Sequence, residues 1–460
     1  MPRPNLLLLI TDQQRWDAMG CASDWVHTPH LDRLAAEGTR FRNCVTNSPV
    51  CIPARLSLAT GLYPHNTWVW DNQNHTLDPE QPTWMQAVRA AGYRTSLFGK
   101  THLHPHSGDL RDRESLMHAY GLDDVDEIGG PRASARVLSH MTARWQDLGL
   151  SERYRQDVAE RFANKPHVAR PSPLPLEEYA DCYVGRRACE YLQTYDRSEP
   201  WCCWVSFGGP HEPWDTPEPY ASQYDPDAMP SAVPRPVWAD DPSLPRGVLH
   251  ERLAKAPRIE EGDVGAMRAN YAGNVSLIDE QIGAILGVIE ARGALDNTAV
   301  VFTSDHGEMN GDYGLIYKSN FLNGAARVPM LVRMPPAGNS SPGVNDAPVE
   351  WIDVGPTLVE LAGGTIDYPQ FGRSLLPLTV DPQVSHRTEA MCELEGEVMI
   401  LDERWKAAVN RQGELYLLFD QREDPYELTN LAGSGDHQSV ASEMRKRILQ
   451  RLVSTQMRQR

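Results

Sequence analysis

Short uninterrupted apolar runs punctuate this chain, and the stretches between them carry helical periodicity. Residues 6–10 read LLLLI and stop at Thr11-Asp12, the pattern of a central strand in a parallel sheet covered on both faces. Residues 93–98, 201–207 (WCCWVSF), 298–303 (TAVVFT) and 328–333 are further strands of this kind. Helices are predicted over 28–41 (Leu31, Leu34 and Ala35 on one side), 82–92, 177–195, 266–293 and 353–363. Pro29 early in the first, and Gly38, Gly92 and Gly293 near their ends, fit helix start and stop chemistry. Residues 132–155 also read as helical, and the proline-rich 165–175 as a loop. Beyond Gly364 the pattern changes to four short strands with turn residues between them, at 390–394, 397–401, 406–410 and 414–419. A terminal helix follows over 437–457. The prediction is an α/β protein: a large, mostly parallel mixed sheet sandwiched by helices (1–364), then a smaller antiparallel sheet plus helix (365–460).

Charge narrows the function. Forty-four basic against 62 acidic residues leave a net charge of -18, which argues against a nucleic-acid surface. An anionic substrate would need a local positive cluster to overcome that field. Five apolar residues near the N-terminus are too few for a leader core, and no apolar run of spanning length is seen, so no membrane partner is expected. The eight cysteines show no even spacing framework. Cys182 and Cys189 share a helical face, and Cys202 and Cys203 should point to opposite sides of a strand. Reduced thiols in the cytoplasm are expected. A homo-oligomer is left open.

Candidate chemistry collects where the predicted strands end, the edge at which open α/β sheets bind ligands. Asp12 and Gln13 follow the first strand, Lys100 and His102 the second, His211 the third, and Asp305 and His306 the fourth. Each has a plain structural alternative: Asp12 as a helix N-cap, His211 as a satisfied core histidine, Lys318 as a surface lysine. Cys51-x-Pro53-x-Arg55 at a predicted helix start reads equally as a buried cysteine beside a turn proline. Arg55 falls on the same helical face as Cys51, with a surface salt bridge as its alternative. His102, His104 and His106 spell H-x-H-x-H; Pro105 breaks the strand, so a loop with solvated histidines is preferred to a metal site.

With C-x-P-x-R at 51–55, G-K-x-H at 99–102, P-H at 210–211 and S-D-H-G at 304–307, the chain resembles the type I sulfatases of the alkaline phosphatase superfamily. The segments TPHLDRLAAEG and DQREDPYELTNLAG support this, so the likeness runs from residue 5 to about 433. It implies that Cys51 is converted to formylglycine by a formylglycine-generating or anaerobic sulfatase-maturating enzyme. It also implies that the hydrated aldehyde attacks the sulfur of a small-molecule or saccharide sulfate ester. A divalent metal would be held by Asp12, Gln13, Cys51, Asp305 and His306. The family usually carries Asp where Gln13 stands and often Asn where His306 stands; oxygen ligands suit Ca2+, while a histidine leans towards Mn2+. Lys100 and Lys318 would bind non-bridging oxygens, His211 would protonate the leaving alcohol, and His102 would act as base with Arg55 as its support.

Three competing readings are a phosphonate monoester hydrolase or phosphodiesterase of the same superfamily, a binding protein on a decayed enzyme scaffold, and a choline sulfatase. The last rests on Trp70-Asp71-Asn72, an aromatic beside an acid that would suit a quaternary ammonium group.

Overall fold

The computed structural model describes residues 3–164, 167–338 and 340–457. Its main sheet contains β1 (Asn5–Thr11), β2 (Thr39–Phe41), β4 (Arg94–Gly99), β5 (Asp124–Glu127), β6 (Trp201–Ser206), β7 (Thr298–Ser304), β8 (Met330–Arg333) and β9 (Gly343–Asn345), in the order β5-β4-β6-β1-β7-β8-β2-β9. Only β8 runs against its neighbours. A two-stranded ladder joins β3 (Cys44–Val45) to β10 (Val349–Glu350). The C-terminal sheet is an antiparallel meander of β11 (Ala390–Leu394), β12 (Glu397–Leu401), β13 (Trp405–Val409) and β14 (Leu415–Asp420), followed by the helix Gln438–Ser454.

Alternation explains why the central runs are apolar throughout. Leu6, Leu8 and Ile10 pack on one side with Cys202 and Trp204, beneath the helices Trp84–Ala90 and Val354–Leu361. Leu7 and Leu9 face the other side with Cys203 and Val205, against Ala180–Thr194 and Glu261–Ala291. Cys202 and Cys203 thus point to opposite faces as expected, and all eight cysteines are free. The register is what matters for chemistry. Thr11 pairs with Ser304, Ile10 with Ser206, and Gly99 with Ser206, so four strands end on one level. A slip of one residue in β1 would carry Asp12 away from Asp305.

The helix Glu261–Ala291 has a mean hydropathy of 1.2 in its most apolar window. By length and composition it could cross a membrane, which the sequence reading did not detect. Two thirds of that window (67%) is buried inside the protein, where it is the central helix of the second core.

Two expectations fail. The helix expected over 28–41 stops at Glu37, and its tail forms β2. Gly38 is the reason: a Cβ there would lie 2.5 Å from the Val332 carbonyl oxygen, so only glycine lets the chain swing in beside β8. Residues 132–155 are not one helix but parts of three: Gly130–Ser134, His140–Asp147 and Ser151–Asn164. Of the loop expected at 165–175, residues 167–175 run without helix or strand, and 165–166 lie outside the described residues.

A buried ionic knot joins the two sheets. Glu350 accepts hydrogen bonds from Tyr63 Oη (2.5 Å), Met391 N of β11 (3.0 Å) and Arg451 Nη2 of the terminal helix (2.7 Å). Arg387, nearly inaccessible, pairs with Asp353 next door. Removing one member of such a cluster strands the others without solvent. Glu350→Ala is therefore expected to lower unfolding free energy by about 3–5 kcal/mol, measured by denaturant titration against Glu360→Ala on an exposed helix position.

Candidate active site

Backbone bonds stitch the strand ends together. Phe207 N donates to Ile10 O (2.8 Å), Asp12 N to Gly209 O (2.9 Å), Lys100 N to Ser206 O (2.9 Å) and Asp305 N to Thr11 O (3.3 Å). Gly99 is required at this seam: φ is +116°, and a Cβ would sit 1.8 Å from Ser206 O. Gly307, just past His306, is as tightly held, since its Cβ would lie 1.9 Å from Gly324 O.

Cys51 opens the helix Cys51–Thr60, with Val50 extended before it and no side chain capping its N-terminus. The helix is buried at every position, which is why its sequence shows no amphipathic stripe. Cys51 Sγ stands 3.0 Å from His306 Nε2 and 3.9 Å from Asp12 Oδ1. Burial opposes ionisation of this thiol, yet Lys318, Lys100 and His306, with a hydrogen bond from His102, hold it well below the ordinary cysteine range.

Arg55 is wholly inaccessible. Its Nε donates to Asp305 Oδ2 (2.8 Å), Nη2 to Asp12 Oδ2 (3.2 Å), and Nη1 to Lys100 O (2.7 Å) and Ser206 Oγ (3.0 Å). None of these bonds goes to Cys51 or His102, although the Arg55 charge interacts with the Cys51 sulfur. Arg55 is a positioning residue for the carboxylates. Asp12 also pairs with Lys100 Nζ. Burial and the Cys51 sulfur raise the Asp12 pKa, but Lys100, His211 and Arg55 outweigh them and keep the carboxyl ionised well below its usual range.

Asp12, Cys51, Asp305 and His306 are all buried, with one ligand atom each inside a mutual distance of 4.8 Å. His306 Nδ1 is engaged by Gly307 O (3.0 Å), which leaves Nε2 facing the other three. Two carboxylate oxygens, one imidazole nitrogen and residue 51 suit a divalent cation. Gln13 stands beside this set, its backbone N–H on Asp305 Oδ1 (3.1 Å). Its amide oxygen accepts from Lys318, and its Nε2 is held by Glu212 (2.8 Å) and Glu308.

The remaining expected residues enclose one cleft of about 700 Å³, lined by Cys51, Lys100, His102, His211 and Lys318 among others. Lys318 Nζ lies 2.8 Å from His211 Nε2, while His211 Nδ1 contacts Glu212 O at 2.6 Å. His102 reaches the cleft with φ +59° rather than by strand alternation, since β4 ends at Gly99. Burial, Lys100 and His106 depress its pKa well below the usual value. His104 and His106 are not solvated. His104 Nε2 (2.7 Å) and His106 Nε2 (3.2 Å) both meet the Glu127 carboxylate, and the His106 ring packs 4.4 Å from that of His102. Burial disfavours the Glu127 charge, but the two imidazoles hold its pKa far below normal.

Sequence reading missed Glu127, Glu212 and Glu308, and it placed Asn72 only within the Trp70-Asp71-Asn72 stretch. Asn72 accepts from Ile52 N (2.9 Å) and approaches Cys51 Sγ (3.9 Å). Glu212, next to His211, and Glu308, two residues after His306, carried a signal in their position; Glu127, at the end of a short charged strand, carried none. Asn72 lines the cleft, but neither Trp70 nor Asp71 does, so the proposed aromatic–acid pair is not assembled there.

Comparison with known proteins adds to this geometry. The Sulfatase family model matches residues 4–364, and that of the N-sulphoglucosamine sulphohydrolase C-terminal region matches 311–454. Choline-sulfatase of Rhizobium meliloti is 30% identical over 94% of this chain and 82% of its own length. The multifunctional alkaline phosphatase superfamily protein PehA of Trinickia caryophylli is 28% identical over 98% and 95%. The crystal structure of the phosphonate monoester hydrolase of Agrobacterium radiobacter superposes with a TM-score of 0.78 at 26% identity, covering 99% of this chain and 96% of that one.

Asp305→Asn keeps the shape of the cradle and removes one charge. It is expected to weaken divalent-cation affinity by about tenfold to a hundredfold, read by calorimetric titration of chelator-treated protein with Ca2+ and with Mn2+. Unchanged affinity for both ions would dismiss the four residues as ligands.

Proposed function

The chain belongs to the sulfatase family, and from that premise we propose that it hydrolyses a sulfate monoester to alcohol and sulfate, with residue 51 as formylglycine. Convergence of Lys100, His102, His211 and Lys318 on the cleft that contains Cys51 carries the reading. A maturating enzyme is then a required partner, since hydration of the aldehyde supplies the attacking oxygen and a route for later release of sulfate. A divalent cation on Asp12, residue 51, Asp305 and His306 would acidify that oxygen and offset charge on the ester group. The oxygens favour calcium; the His306 nitrogen is the argument for manganese.

The protein's own groups divide the remaining work. Lys100 and Lys318 hold the non-bridging oxygens of the ester in a site buried enough for ammonium charge to count. His102, next to residue 51, accepts the proton of the attacking hydroxyl. His211, whose Nε2 lies 2.8 Å from Lys318 Nζ, delivers a proton to the alcohol oxygen as the sulfur–oxygen bond breaks. Each such proton transfer contributes about a hundredfold to ten-thousandfold in rate.

A phosphonate monoester or phosphodiester substrate is the second reading. It is favoured by Gln13 and His306, which leave the cradle less acidic than the family's usual set, and by the likeness to a phosphonate monoester hydrolase. Protein co-produced with a formylglycine-generating enzyme is expected to show a kcat/KM on 4-nitrophenyl sulfate at least about tenfold above that on 4-nitrophenyl phenylphosphonate. The reverse order would select the second reading. Cys51→Ala is expected to cost about a thousandfold or more on either ester with an unchanged circular dichroism spectrum.

A further inference from the structure

The same cleft carries more positive charge than one ester group needs. Beyond Lys100 and Lys318, its wall presents Arg132, Arg136, Arg252 and Lys255, and among the described residues Glu212 is the sole carboxylate in the lining. This sits in a protein of net charge -18, so the cluster is a local reversal of the molecule's field.

The four outer cations come from two separate segments that flank the inner pair. One is the helix Gly130–Ser134 and the turn after it. Gly130 packs against the Lys100 side chain, where a Cβ would lie 3.1 Å from its Cδ. Arg132 is held in place by Glu212 (3.1 Å) and by the Phe162 ring, 4.3 Å from its guanidinium carbon. The other segment is the end of the helix Val248–Ala254. There Arg252 Nε donates to Ser319 O (3.3 Å), next to Lys318, and its Nη2 pairs with Glu395. Arg136 and Lys255 differ from these two. Both are exposed, as Arg132 is, but neither has an acidic partner among the described residues. Their charges are uncommitted, one on each wall of the cleft.

We propose that Arg136 and Lys255, buttressed by Arg132 and Arg252, form a subsite for a second anionic group on the alcohol portion of the substrate. The substrate class is an ester that bears a further sulfate, carboxylate or phosphate outside the scissile group. A quaternary ammonium alcohol is the wrong partner for these walls. This inference rests on the reading of the cleft as the place where an anionic ester is cut, but not on which ester that is.

Inert ligands test the subsite apart from the reaction. Benzenesulfonate and 1,3-benzenedisulfonate are not hydrolysed, so their affinities for the wild-type protein can be compared by calorimetry at fixed ionic strength. The disulfonate is expected to bind about tenfold more tightly, beyond the twofold that two equivalent groups give, as befits two exposed ion pairs. Arg136→Glu and Lys255→Glu are each expected to bring that ratio down severalfold. Lys446→Glu, on the exposed face of the terminal helix, makes the same change in net charge and should leave the ratio where it was. Equal affinities in the wild type overturn the subsite, as does a ratio that the Lys446 variant lowers as much as the other two. Turnover of 4-nitrophenyl sulfate, measured separately, reports on the reaction whichever way the binding experiment falls.

Discussion

One guanidinium organises the centre of this molecule. Arg55 takes Asp12 beyond β1, the Lys100 carbonyl beyond β4, Ser206 at the end of β6 and Asp305 beyond β7. Four adjacent strands are thereby tied to one side chain delivered by the helix that also carries Cys51. Two carboxylates with no solvent access repel one another and resist ionisation; a planar cation with several donors between them removes both objections. The arrangement is costly to assemble, because three charges leave water. Its return is geometric: Asp12 and Asp305 turn their remaining oxygens towards residue 51 and His306.

Around that anchor the charges are layered. Carboxylates and His306 lie deepest, the ammonium groups of Lys100 and Lys318 stand above them, and arginines and a further lysine reach the cleft walls. Gln13 belongs to the middle layer. Its amide joins Lys318 on one side to Glu212 and Glu308 on the other, so it fixes the position of a cation without adding charge. A carboxylate in its place would face two buried glutamates. The presence of Glu212 and Glu308 thus gives a physical reason for the amide that the family comparison alone made puzzling.

Much of this could be read from the chain. Continuous apolar strands leading to Asp12, Lys100, His211 and Asp305 revealed the sheet and the edge at which these residues gather, because burial on both faces leaves a plain pattern. The helix Cys51–Thr60 was legible through its motif only, since burial on all sides erases periodicity. The bonds of Arg55 to both carboxylates were not legible, because helical spacing tells which residues share a face and not where a long side chain spends its donors. Glu127 with His104 and His106 escaped for a related reason: their partnership spans β4 to β5, and no local pattern records it. Strand β2, at three residues, was too short to separate from the helix before it.

Gly99 and Gly307 have a consequence for how this enzyme diversifies. Each brings one backbone against another so closely that no side chain fits, and each adjoins a site residue. The floor of the cleft therefore offers evolution almost no room for trial. On the walls, by contrast, Arg132, Arg136 and Lys255 are exposed, and at those positions sequence can drift at little structural risk. New substrate preferences would arise there first, in nature or in a mutant library, while the bond-breaking machinery beneath stays frozen.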